Sequence, residues 1–195
     1  MRLFKFYDSL ILVFSFMIVL IASLWDINLL DYQAPIEHSN YKDITLKNFR
    51  GLNKPFKTLD GKAEFAFITT GLYTYQTSEY FEVKCYFYPS RSYTYKNNIK
   101  NENELLTHEI YHFHITEYSA RLLRKNIFLN KNFLSNRKID NIRTKVKFTE
   151  DSLQYLYDEE TYHSYVSKMQ IRWQMRVDSL LKSLEAYKSQ RIILK

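Results

Sequence analysis

Leu10 to Trp25 is an unbroken uncharged run rich in Leu, Ile, Val and Phe, with Arg2 and Lys5 ahead of it and Asp26 behind. Its sixteen residues, rising roughly 1.5 Å each, make a helix of about 24 Å. That is slightly short of the ~30 Å hydrocarbon core of a bilayer but adequate for a signal peptide or signal anchor. We therefore expect residues 1–30 to be a cleaved leader or a transmembrane helix. The basic residues before the run, and Asp26 and Asp31 after it, place the body outside the cytoplasm, in the periplasm or cell envelope, either secreted or membrane-anchored. Asp31 to Asn40 is polar and aperiodic around Pro35, and residues 31–42 read as a tether.

Residues 44–100 carry a period of two. Ala63 to Thr70 alternates or stays apolar with β-branched residues, Gly71 interrupts, and Leu72 to Tyr75 resumes. Glu82 to Tyr88 then alternates charged with apolar side chains until Pro89. Asn53-Lys54-Pro55 and Asp60-Gly61 mark turns. Two or three antiparallel strands with one wet face fit this pattern. From Asn101 the period becomes helical. Glu102 to about Ile127 is one helix without Pro or Gly, and Arg121, Arg124 and Lys125 suit its negative end. Phe128 to Arg143 reads as an Asn-rich loop with a short helix. A last helix is expected from about Thr161 to Ile193, on Val166, Met169, Trp173, Val177, Leu180 and Leu184. Strands first and helices afterwards give an α+β fold with a small antiparallel sheet.

The chain of 195 residues is long enough for one domain with its own core, which we expect over residues 43–195. The net charge of +7 does not point to nucleic acid, because Lys and Arg are scattered among Asn and Tyr with no basic block. A solvated basic surface, or mild attraction to a membrane surface near the N-terminal apolar segment, accounts for it. Cys85 is alone, so no intramolecular disulfide forms, and its strand-like setting predicts a buried, inert thiol.

The candidate chemistry lies in His108-Glu109-Ile110-Tyr111-His112. On a helix, residues four apart share a face, so His108 and His112 can hold one Zn²⁺ between them. Glu109 sits about 100° to the side, where it can take a proton from a water on the metal. Catalytic zinc takes three protein ligands, so one more donor is needed. His114 and Glu117 lie about 240° and 180° around the helix from His108 and point away from the metal. His38 lies in the tether. The remaining histidine, His163, is the expected third ligand, with Asp158 or Glu160 as alternatives; Asp158 is equally suited to orienting an imidazole.

Leu105-Leu106-x-His108-Glu109-x-x-His112-Phe113-x-Ile115-x-Glu117, continuing to Ala120-Arg121 and Arg124, resembles the core of the DUF922 family, described as predicted secreted zinc-dependent proteases. Leu46 to Gly51, Ala63, Thr70-Gly71 and Tyr75 are similar to that family's opening strands. Tyr157-Asp158-x-x-Thr161-x-His163, with Gln170 and Trp173, resembles its closing motif. The likeness covers about residues 43–185. It departs at His114, where the family usually has Asp, at Ser164, where it usually has Gly, and at Ser92-Tyr93, where it usually has Ser-Trp. The resemblance implies a zincin-like helical region behind the sheet, with the HExxH on a long helix.

Two readings follow. The first is a zinc metallopeptidase acting on peptide or protein substrates. In it His108, His112 and His163 hold the metal, Glu109 is the base, and Tyr111, Tyr157 or Tyr162 assists the oxyanion. The second is a non-catalytic extracytoplasmic binding or envelope-associated module that keeps zinc for stability. Glu109 favours the enzyme, because a purely structural site has no use for a carboxylate there.

Overall fold

The computed structural model describes residues 2–26, 31–51, 64–96 and 101–194. The Asn53–Pro55 and Asp60-Gly61 turns lie outside them. The fold is α+β, as the patterning predicts: helices α1 (Arg2–Asp26), α2 (Glu102–Leu129), α3 (Asn136–Thr161) and α4 (Ser167–Ser183), with small antiparallel sheets.

Among the described residues no helix is long and apolar enough to cross a membrane, which corrects the expected transmembrane helix. The uncharged run from Leu10 to Trp25 rises about 24 Å as a helix, less than the ~30 Å hydrocarbon core of a bilayer. The side chains from Leu10 to Ile21 lie exposed.

In the main sheet β4 (Tyr80–Phe87) is central. It pairs on one side with β3 (Thr70–Gln76) and on the other with β1 (Ile36–Glu37) and β6 (Arg191–Ile193). Phe81, Val83, Cys85 and Phe87 all point from β4 into the core, the alternation expected of a strand with one covered face. Cys85 is buried in this row, and burial pushes its thiol pKa well up. The shorter sheet, β2 (Glu64–Phe67) with β5 (Tyr93–Lys96), pairs Phe67 opposite Tyr93, and their rings stack.

Three parts of this architecture differ from the patterning. The stretch read as a tether contributes β1, and the 3₁₀ turn His38–Asp43 behind it packs on α2 and β4. The ambiguous stretch after Phe128 opens α3, a single helix to Thr161 whose buried stripe runs Ile139, Ile142, Val146, Leu153, Tyr157. The last helix stops at Ser183, and the chain returns as β6, a three-residue strand too short to register alone.

Helix α2 packs on the sheet, on α3 and on α4, and two apolar clusters result. The larger fills the space between β4 and α2, with Leu105, Phe113, Leu123 and Ile127 from the helix. The smaller joins Ile115, Leu153, Tyr157, Trp173 and Val177, so it ties α2, α3 and α4 together beneath the histidine motif. Burying Tyr157 and Trp173 there stabilises the helical layer by about 1.5–3 kcal/mol for each side chain.

Candidate metal centre

Asn101 starts α2 by accepting the Glu104 N–H, and Glu102 and Glu104 in the first turn face the positive helix end. The helix continues unbroken through His108 and His112, whose rings meet edge to face. Their Nε2 atoms are 3.1 Å apart. Asp158, one turn from the end of α3, places Oδ1 3.1 Å from His108 Nε2 and 2.9 Å from His112 Nε2. His163 Nδ1 is 3.2 Å from the same oxygen. The three imidazoles of the expected ligand set thus converge on one carboxylate oxygen.

His163 is delivered by backbone of unusual shape. Tyr162, His163 and Ser164 all have positive φ, of 49°, 50° and 75°. None is glycine, and each L residue in this region costs about 1–2 kcal/mol. The turn reverses the chain between α3 and α4, with the His163 N–H donating to the Asp158 carbonyl and the Val166 N–H to that of Thr161. Ser164 stands where the family resembled usually has Gly, the residue that bears this φ without strain.

The surroundings fix the other donors. Gln154, one turn before Asp158 on α3, accepts from His112 Nδ1 and donates Nε2 to the His112 carbonyl at 3.0 Å. This places the His112 proton on Nδ1 and leaves Nε2 toward the cluster. Tyr157 stacks under His108 with ring centroids 4.6 Å apart. His108 is 2 % exposed, and its Nδ1 has no hydrogen-bond partner.

Charge is unevenly held here. Burial alone would raise the Asp158 pKa, but hydrogen bonds from His108, His112 and His163 hold it well below the carboxylate range. Burial depresses His108 to about 4. In His112 burial acts the same way, yet the Asp158 bond and charge outweigh it and lift the pKa to about 8. Glu109 is 4 % exposed, and Oε2 accepts the Ile68 N–H at 2.8 Å. Burial raises its pKa to about 7.

The donor set fits a tetrahedral zinc ion. Bonds of about 2.0–2.1 Å put neighbouring donors about 3.3 Å apart. Asp158 Oδ1 lies 2.9 to 3.2 Å from the three imidazoles, and His108 and His112 are 3.1 Å apart, while His108, Asp158 and His163 all fall within 4.8 Å of one another. Two imidazole nitrogens 3.1 Å apart beside a shared carboxylate oxygen are a donor set that a divalent cation could take in place of protons. One feature weighs against: the unpartnered His108 Nδ1 costs about 1–3 kcal/mol when it carries the proton.

Other candidates are placed elsewhere. His114 bonds to His38 (Nδ1 to Nε2, 2.8 Å), and burial lowers these two histidines to about 4 and about 3. Glu117 pairs with Arg121 and Arg124. Those arginines lie well inside α2 and not at its end, because the helix runs on to Leu129. Glu160 accepts the Trp173 indole N–H at 2.8 Å and is not brought to the cluster. Of the tyrosines weighed for the oxyanion, Tyr157 is buried under His108 and Tyr111 donates to Asp178, leaving exposed Tyr162 beside His163. Gln154 and the Ile68 amide were not singled out in the sequence. The spacing of Gln154 and Asp158 at i, i+4 was the available signal; for Ile68 there was none.

No family model, no curated protein and no solved structure matches the chain. The likeness to DUF922 therefore stands on the motif residues alone.

Proposed function

We propose that the protein is a zinc-dependent hydrolase, a metallopeptidase acting outside the cytoplasm. The observation that carries this reading is the convergence of His108 Nε2, His112 Nε2 and His163 Nδ1 on Asp158 Oδ1, beside a buried glutamate in the HExxH position. His108, His112 and His163 would hold the ion, and Asp158 either joins them or keeps their rings turned inward. When bound, zinc supplies Lewis-acid activation of water and of the scissile carbonyl. Glu109, steadied by the Ile68 N–H, takes the proton from the attacking water and passes it to the leaving nitrogen. Gln154 holds His112 in the tautomer that leaves Nε2 free for the metal. The apolar run after Arg2 and Lys5 acts in this reading as an export signal.

One observation favours the rival, a zinc-stabilised module without catalysis. His108, Asp158 and His163 already gather within 4.8 Å of one another with His112 Nε2 2.9 Å from Asp158, and sites whose protein donors fill all four positions are the structural kind. Reconstitution with Co²⁺ separates the two. A five-coordinate or water-bearing visible spectrum, with cleavage of a mixed peptide pool lost in Glu109→Gln, supports the peptidase. A closed tetrahedral spectrum with no cleavage supports the module. Failure of the protein to take up any zinc sinks both.

A further inference from the structure

A cleft of about 260 Å³ opens between the first turns of α2 and α4, lined by Glu104, Thr107, Ser167, Gln170, Ile171 and Gln174. Along the chain its lining borders the histidine motif, although His108, His112, Asp158 and His163 do not themselves line it. Thr107 immediately precedes His108, Glu104 lies one turn before it on the same face, and Ser167 follows His163 by four residues. Pockets for drug-sized ligands run to about 300–1,000 Å³. This one is smaller, of a size for a single side chain.

Within this lining one buried acceptor is left unanswered. Gln170 is 4 % exposed and spends Nε2 on the Glu104 carbonyl at 3.0 Å, while its Oε1 is buried with no hydrogen-bond partner. An orphaned buried acceptor is costly, and a ligand that brings a donor removes that cost. The Glu104 carboxylate, bonded by the Ser167 hydroxyl at 3.3 Å, is the charged group of the lining. The starts of α2 and α4 weigh the other way with about half a positive charge each, and the Glu104 carboxylate offsets them, so a cationic head is favoured by the acceptors it reaches and not by the net field. Ile171, more than half exposed, gives an apolar wall along which an aliphatic stem can lie while its charged head reaches the acceptors.

We infer that this cleft is a specificity subsite for a long cationic side chain, lysine or arginine, of the substrate. The inference names the substrate class for the peptidase reading and rests on it, but binding here needs neither metal nor turnover. The test is therefore a titration of the metal-free full chain, watching the Gln170 side-chain amide resonance by NMR. The probes are N-acetyl-lysine amide, N-acetyl-norleucine amide and N-acetyl-glutamate amide. The lysine probe should move that resonance saturably. The norleucine probe should bind about ten-fold more weakly, since it keeps the stem and loses a charge-assisted bond. The glutamate probe should not bind. Glu104→Gln, checked by thermal melting to be folded, should weaken lysine binding by about five-fold or more. Equal response to lysine and norleucine, or lysine binding unchanged in Glu104→Gln, overturns the subsite. A lysine-selective cleft in a protein that cleaves no peptide upholds it and sinks the peptidase. Cleavage with no preference for basic residues sinks the subsite and leaves the peptidase standing.

Discussion

Helix α2 buries charge twice, and the two places behave differently. Around Glu117 every charge is answered. Arg121 Nε and Arg124 Nη1 reach Glu117 at 3.1 and 2.9 Å, and Arg124 also donates to the Val83 carbonyl. Arg121 adds the Leu181 carbonyl and Glu185. Two turns earlier, around His108 and His112, the donors crowd each other: imidazole nitrogens 3.1 Å apart, one carboxylate oxygen shared three ways, and a buried Nδ1 with no partner. The first cluster is closed and staples α2 to β4 and the chain's end. In the second, backbone with positive φ at Tyr162, His163 and Ser164 holds His163 against Asp158. Both are buried and polar; what distinguishes them is whether opposite charges answer one another or several donors crowd a single oxygen.

The widest separation of the two clusters should come from Glu109→Gln. It keeps size and helix propensity, so zinc content by elemental analysis stays at one per chain while peptide cleavage falls about 10²–10⁴-fold. Parallel loss of zinc would move Glu109 into the ligand set. Next, Arg124→Met leaves Glu117 buried with one partner fewer. It should cost about 3–5 kcal/mol in urea unfolding, with zinc affinity per folded molecule unchanged. A loss of affinity to match would join the two clusters into one unit.

Zinc itself should act on one cluster only. At a hundred-fold excess over its dissociation constant, it should stabilise the wild-type chain by about 2.7 kcal/mol, seen as a rise in Tm. The same should hold for His114→Ala, because His114 faces His38. His112→Ala and His163→Ala should lose most of the rise, and a chelator should reverse it in the wild type. If His163→Ala keeps the full rise, Asp158 is the third ligand. The smallest effect is expected at the turn. Ser164→Gly relieves about 1–2 kcal/mol of left-handed strain and adds about 0.5–1 kcal/mol of unfolded-chain entropy, a net gain of about 0.5–1 kcal/mol by thermal unfolding. Destabilisation would mean that the Ser164 side chain holds the turn.

Local patterning accounts for much of this protein. A run of period two with a breaker gave β3 and β4, because alternation is written residue by residue. The absence of Pro and Gly after Asn101 gave α2, and helix geometry turned His108 and His112 to one face with His114 and Glu117 elsewhere. The α+β class followed from the order of these elements. What the chain could not show alone are the contacts between distant segments. β1 and β6 are strands only because β4 offers them its free edge. Arg121 and Arg124 looked like helix-end charges until α2 was seen to continue and Glu117 to be buried beside them. Asp158 became the meeting point of three imidazoles because α3 brings its last turn across α2, a placement set by Tyr157 and Trp173 in the apolar layer below. Spacing along one helix fixes angles about its own axis; which oxygen arrives from another helix is fixed by packing, and that is decided only when the whole chain has folded.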